Sequence, residues 1–113
     1  MDNVYQFLSA LEKKVYDWLT RKKIPFETQE TMFGARYELG SATVDFILMN
    51  GIALRIMGSY YHSSMEAKAR DEFGKEQLAN KGYIVVDIWE EALSDERIEA
   101  TMQKAIRGEE VIR

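Results

Sequence analysis

A carboxylate set inside an apolar run is the first feature of this sequence that bears on chemistry. Asp45 lies within Ala42-Thr43-Val44-Asp45-Phe46-Ile47-Leu48-Met49, and burying a lone carboxylate costs several kcal/mol. Such a residue either pairs with a cation of the protein or ligates a metal ion. The following run, Ile52-Ala53-Leu54-Arg55-Ile56-Met57, carries a cation, Arg55. His62 is the sole histidine and the side chain near these runs that titrates near neutrality, which makes it the candidate general base. A histidine after Tyr60-Tyr61 serves equally as a hydrogen-bonding residue at a helix entry. Glu66 follows one helical turn later and is a candidate acidic ligand, although the spacing Ser63-Ser64-Met65-Glu66 already gives it a capping role. Glu12 and Glu38 are further carboxylates that read as surface groups. Tyr60 and Tyr61 offer rings for stacking on bases or for packing.

These residues need elements to hold them. Val4, Phe7, Leu8, Leu11, Val15, Trp18 and Leu19 recur at helical spacing, which predicts an amphipathic helix over 3–22, ended by Pro25. Trp18 and, further on, Trp89 fall on apolar faces and read as core residues. Residues 26–31 and 35–40 read as two short strands. Residues 42–49 and 52–57 flank Asn50-Gly51, the strongest hairpin signal in the chain. A two-residue loop mixes the apolar faces, whereas a three-residue loop, Met49-Asn50-Gly51 with Gly51 left-handed, pairs Leu48 with Ile52, Phe46 with Leu54 and Val44 with Ile56. That register makes one face wholly apolar, gathers Thr43, Asp45, Ile47, Ala53, Arg55 and Met57 on the other, and sets Asp45 across from Arg55. It favours the ion pair over the metal.

A helix is expected over about 64–80, ended by Lys81-Gly82, then a strand over 83–89 and a last helix capped by Ser94, with Ile98, Met102, Ala105 and Ile106 facing inward. The tail 108–113 is expected to fray. The order is α-β-β-β-β-α-β-α, an α/β chain with a mixed sheet flanked by helices, its core spanning 26–107.

The 113 residues, 46% of them apolar, suit one domain. With no cysteine, the chain has neither disulfides nor thiolate metal sites and fits a cytoplasmic protein. No apolar stretch approaches the roughly 20 residues of a membrane helix, and Met1-Asp2-Asn3 does not open a signal sequence. A net charge of −4 opposes a purely electrostatic grip on phosphates. Positive charge gathers at Arg21-Lys22-Lys23 and at Lys68, Arg70 and Lys75, a pattern that ordinary solvated helix faces also produce.

Residues 40–93 carry a resemblance. Val44-Asp45-Phe46, the hairpin, Leu54-Arg55-Ile56-Met57-Gly58-Ser59-Tyr60-Tyr61-His62, a helix, and Gly82-Tyr83-Ile84-Val85-Val86-Asp87-Ile88-Trp89-Glu90 resemble the very-short-patch-repair endonucleases and their PD-(D/E)XK relatives. The resemblance implies a restriction-endonuclease-like three-layer domain and a Mg²⁺-dependent phosphodiesterase ancestor, whose strand aspartate holds the metal. Asp45 matches that aspartate and His62 the later catalytic histidine. The acidic and basic positions of the next strand are occupied by Arg55 and Met57, and Glu12 fits the order of the family's N-terminal helix. The resemblance therefore implies an endonuclease fold with a degenerate active site. The expected function is a nucleic-acid-associated or protein-interaction module, or a subunit of a larger assembly, with no cofactor. The rivals are an active Mg²⁺-dependent nicking or repair endonuclease acting on DNA, and a purely structural assembly protein.

Overall fold

The computed structural model describes residues 5–28, 45–57, 73 and 75–112. The first helix, α1 (Ala10–Arg21), begins later than its apolar period suggests, after a 3-10 turn at Tyr5–Phe7. Ser9 and Glu12 set the start. The Ser9 hydroxyl accepts from the Glu12 N–H at 3.2 Å, and the Glu12 carboxylate accepts from the Ser9 N–H at 2.7 Å, a reciprocal capping box. Glu12, expected at the surface, is buried in this role.

The other end of α1 closes as a Schellman motif. The Ile24 N–H donates to the Leu19 carbonyl at 3.0 Å and the Lys23 N–H to the Thr20 carbonyl at 3.1 Å. That geometry needs a left-handed residue, and Lys23 supplies it with φ 60°. Val15, Trp18 and Leu19 enter the core from this helix, all but inaccessible to solvent. Burying each contributes roughly 1.5–3 kcal/mol.

The sheet runs β1 (Phe26–Thr28), β2 (Asp45–Leu48), β3 (Ile52–Met57), β4 (Ile84–Trp89) in that spatial order. The first three strands are antiparallel and β4 lies parallel to β3, so the sheet is mixed as expected. Phe46 faces Leu54 and Asp45 faces Arg55, the register the three-residue loop requires. Gly51 turns that loop with φ 87°, and its N–H donates to the Leu48 carbonyl at 3.1 Å. The expected strand 35–40 lies outside the described residues.

Alternation along the strands sends Phe46, Leu48, Ile52, Leu54, Ile56, Val86 and Ile88 to one face, packed against α1 and against α3 (Ile98–Ala105). Ile47, Ala53 and Val85 face the other way and meet Leu78 of α2, helical at residues 75–80. The sheet is thus sandwiched between helices in an α/β arrangement. Gly82, with φ 94°, ends α2 as expected. Among the described residues no helix is long and apolar enough to cross a membrane.

The C-terminal part departs from expectation twice. Ser94 does not cap the last helix. A 3-10 turn at Glu90–Leu93 intervenes, because Ala92 and Leu93 both enter the core, and the Ser94 carbonyl, not its hydroxyl, accepts from the Arg97 and Ile98 N–H groups at 3.0 and 2.9 Å. Nor does the tail fray as far as residue 112. Val111 is buried in the main core, and Arg97 donates to the Ile112 carbonyl at 2.9 Å and to the Glu91 carbonyl at 3.0 Å.

Contacts of α3 with α1 include one titrating group. Glu99 accepts from Gln103 Nε2 at 3.0 Å and from Trp18 Nε1 at 2.9 Å, and pairs with Lys22 Nζ at 3.3 Å. These donors, Gln103 foremost, hold its carboxyl at about 2 against an ordinary 4.5. Because the folded value lies below the unfolded one, the stabilisation is complete above pH 4.5 and is lost as pH falls through 2. Urea melts between pH 5 and 2 are expected to show wild type losing more stability than Glu99→Gln; parallel loss would show that the carboxylate is not held in this way.

Candidate functional site

The second face of the sheet carries a row of charge on adjacent strands. β2 and β3 place Asp45 opposite Arg55, and β3 and β4 place Arg55 opposite Asp87. Arg55 sits at the middle of a strand buried along its whole length, and its side chain is 3% exposed. The side chain of Asp45 lies outside what the structure describes, so the salt bridge expected between it and Arg55 rests on register alone. The ion pair that the structure does show is with Asp87: Arg55 Nη1 lies 3.6 Å from Asp87 Oδ1. At that separation the attraction is Coulombic rather than a hydrogen bond, and burial strengthens it by lowering the local dielectric.

Asp87 has a second cation. Lys75, on α2, brings Nζ to 3.2 Å from Asp87 Oδ2. The Lys75 side chain, expected to belong to a positive helix face, is therefore spent on a carboxylate. Among the described side chains, Asp87 of β4 thus meets two cations, Arg55 from β3 and Lys75 from α2.

Sequence reasoning did not single out Asp87. The available signal was an aspartate in the apolar strand Ile84-Val85-Val86-Asp87-Ile88-Trp89, as costly to bury alone as Asp45. Met57 occupies the position two residues beyond Arg55, 1% exposed, and packs on the half-buried Trp89. It brings an apolar thioether where the endonuclease pattern has a polar group. Trp18, by contrast, is fully buried and holds Glu99 through its indole N–H. Glu12 is committed to its capping box at the start of α1. Glu38, Tyr60, Tyr61, His62, Glu66, Lys68 and Arg70 lie outside the described residues.

Mg²⁺ requires near-octahedral oxygen coordination, usually with one or two carboxylates. The described residues do not fit it: the carboxylate of Asp87 is shared between a guanidinium and an ammonium, and the guanidinium lies in register with both strand aspartates. A cation fixed to the backbone repels a divalent ion at this place. Chemically, these pairs can neutralise buried charge and hold β3, β4 and α2 in one arrangement. They define a mixed α/β domain with a charge-compensated centre. No protein-family model matches this sequence, and neither a curated protein nor a solved structure matches it.

Proposed function

We propose that the chain is an endonuclease-like domain whose metal position has been taken over by Arg55, and that it acts in the cytoplasm as a binding module on nucleic acid or within a larger protein assembly. The buried guanidinium carries this reading: Arg55 is 3% exposed, in register with Asp45 and ion-paired with Asp87. Hydrolysis of a phosphodiester in such an endonuclease depends on a metal that polarises the phosphate and lowers the pKa of water. Arg55 supplies positive charge but no exchangeable water ligand. Its planar fork binds carboxylate well, and removing it leaves the buried Oδ1 of Asp87 without the guanidinium.

The test is incubation with nicked, mismatched and single-stranded DNA in Mg²⁺ and in Mn²⁺, beside an Asp45→Ala control, with binding followed in parallel by anisotropy. Binding without cleavage is the expected outcome. Cleavage that depends on Asp45 would establish an active endonuclease instead. Neither binding nor cleavage would leave a protein-assembly role as the surviving form of the proposal.

A further inference from the structure

Asn50 ties the β2–β3 hairpin to the last helix: its Nδ2 donates to the Ile106 carbonyl at 3.2 Å. The way α3 ends accounts for that acceptor. The Glu109 and Gly108 N–H groups donate to the Lys104 and Ala105 carbonyls at 3.1 and 3.0 Å, a Schellman closure around Gly108 with φ 78°. The Ile106 carbonyl takes its donor from the hairpin instead. Beyond this point the chain runs as a strap over the end of the sheet. Gly108 passes so close to Ile52 and Ile84 that an added Cβ would lie 3.4 and 3.5 Å from their methyl carbons. Val111 then enters the main core, and Arg97 donates to the Ile112 carbonyl at 2.9 Å. Asn50 fastens one end of the strap and Arg97 the other.

The fastening at Asn50 is chemically labile. Asparagine is a thermolabile residue, and here it is exposed to water and followed by Gly51, which has no side chain to obstruct its own nitrogen. The Gly51 N–H is held by the Leu48 carbonyl at 3.1 Å, within a loop at the hairpin tip, so freeing it takes only a local opening. Asn80, the other described asparagine, is placed differently. It precedes Lys81, whose N–H is held by the Gln77 and Leu78 carbonyls at 3.2 and 3.1 Å and whose Cβ hinders approach.

We propose that Asn50-Gly51 is a site of spontaneous deamidation, and that this modification unfastens the C-terminal strap from the hairpin. The deprotonated Gly51 nitrogen bonds to Asn50 Cγ, the Cγ–Nδ2 bond breaks, and Nδ2 leaves as ammonia, taking up the proton. A cyclic imide results. Water opens it on either side of the Gly51 nitrogen: cleavage from Cγ leaves aspartate, and cleavage from the main-chain carbonyl carbon leaves isoaspartate, whose chain runs through Cβ and Cγ. Either product carries a carboxylate where the amide donor stood. A carboxylate cannot donate to Ile106, and the negative end of the α3 dipole repels it. Of the cations at this end of α3, Arg107 pairs with Glu109 at 2.6 Å and Lys104 acts on the same carboxylate. The modification is independent of whether the domain binds nucleic acid or protein.

The test ages the wild-type chain at mildly alkaline and at mildly acidic pH and follows Asn50 and Asn80 by peptide mass spectrometry, with fragmentation that separates aspartate from isoaspartate. Conversion at Asn50 is expected to be at least about tenfold faster than at Asn80, to give both products, and to speed up with pH, since the Gly51 nitrogen must lose its proton. Amide hydrogen exchange reads the strap. In Asn50→Asp, and in aged wild type, exchange at Arg107, Gly108 and Glu109 is expected to quicken about tenfold, while Ala53 and Leu54 in the ladder change less than about threefold. Asn50→Gln, which would have to close a larger ring, is expected to show no change on ageing.

Conversion at Asn50 no faster than at Asn80 overturns the modification site. Conversion without faster exchange at residues 107–109 overturns the release of the strap. Wild-type exchange in Asn50→Asp does the same, because it would mean that the new carboxylate draws Arg107 away from Glu109 and keeps the strap in place. An equal response of Asn50→Gln to ageing would place the labile group elsewhere and overturn the proposal.

Discussion

Replacing Arg55 with methionine is expected to lower the free energy of unfolding by about 3 kcal/mol, the scale on which breaking one side of a buried ion pair destabilises a protein. Methionine fills much of the arginine stem, so the cavity contribution is small. The loss comes from what remains. Asp87 keeps Lys75, but its Oδ1 atom is buried and loses the guanidinium 3.6 Å away. Asp45, in register on the other side, loses the cation opposite it on β3. Arg55→Lys keeps the charge without the fork and is expected to lose less. Urea unfolding of the three proteins checks this, and a loss under about 1 kcal/mol for Arg55→Met would place it among ordinary substitutions and deny the pair its structural role.

The second large effect is expected from Arg55→Glu. This substitution changes the charge of the centre by two and sets three acidic residues side by side on β2, β3 and β4, with Lys75 as the described cation beside them. Adjacent carboxylates repel, so without metal the loss exceeds that of Arg55→Met. The same cluster now has the oxygen donors that Mg²⁺ takes. A site with a dissociation constant near 1 mM returns about 1.4 kcal/mol at 10 mM Mg²⁺, because only the folded state binds. The endonuclease pattern also suggests Met57→Lys, but Met57 is 1% exposed against Trp89, and an ammonium buried there adds cost of its own. The single substitution is the cleaner experiment.

Melting or, if the variant is unfolded in EDTA, far-ultraviolet circular dichroism is followed across a Mg²⁺ series. Arg55→Met serves as the control with no added carboxylate. Recovery in Arg55→Glu alone is expected. Indifference to Mg²⁺, or equal recovery in both, would show that these three strand positions do not converge on a cation site.

Much of the central sheet was legible in the sequence because its signals are local. Strand alternation, together with a glycine that must turn left-handed, leaves one register for the hairpin, and Asp45 opposite Arg55 follows from it. Asp87 was not legible in the same way. Its place beside Arg55 depends on β4 lying parallel to β3, a pairing across a helix that no local pattern specifies. Lys75 needed that helix docked as well. At the N-terminus the spacing of Ser9 and Glu12 carries the capping box, yet the apolar period running through Val4, Phe7 and Leu8 conceals it. The 3-10 turn at Glu90–Leu93 exists to seat Ala92 and Leu93 in the core, a tertiary demand that overrides the capping preference of Ser94.

The claim that Arg55 holds the place of a metal is tested most directly by calorimetric titration of the wild-type chain with Mg²⁺, repeated with Mn²⁺, against an Asp45→Asn control. The expected result is no stoichiometric site, with heats indistinguishable between the two proteins, because a guanidinium on the strand in register with both aspartates excludes a divalent cation from their row. One equivalent of metal bound by wild type and lost in Asp45→Asn would contradict the account.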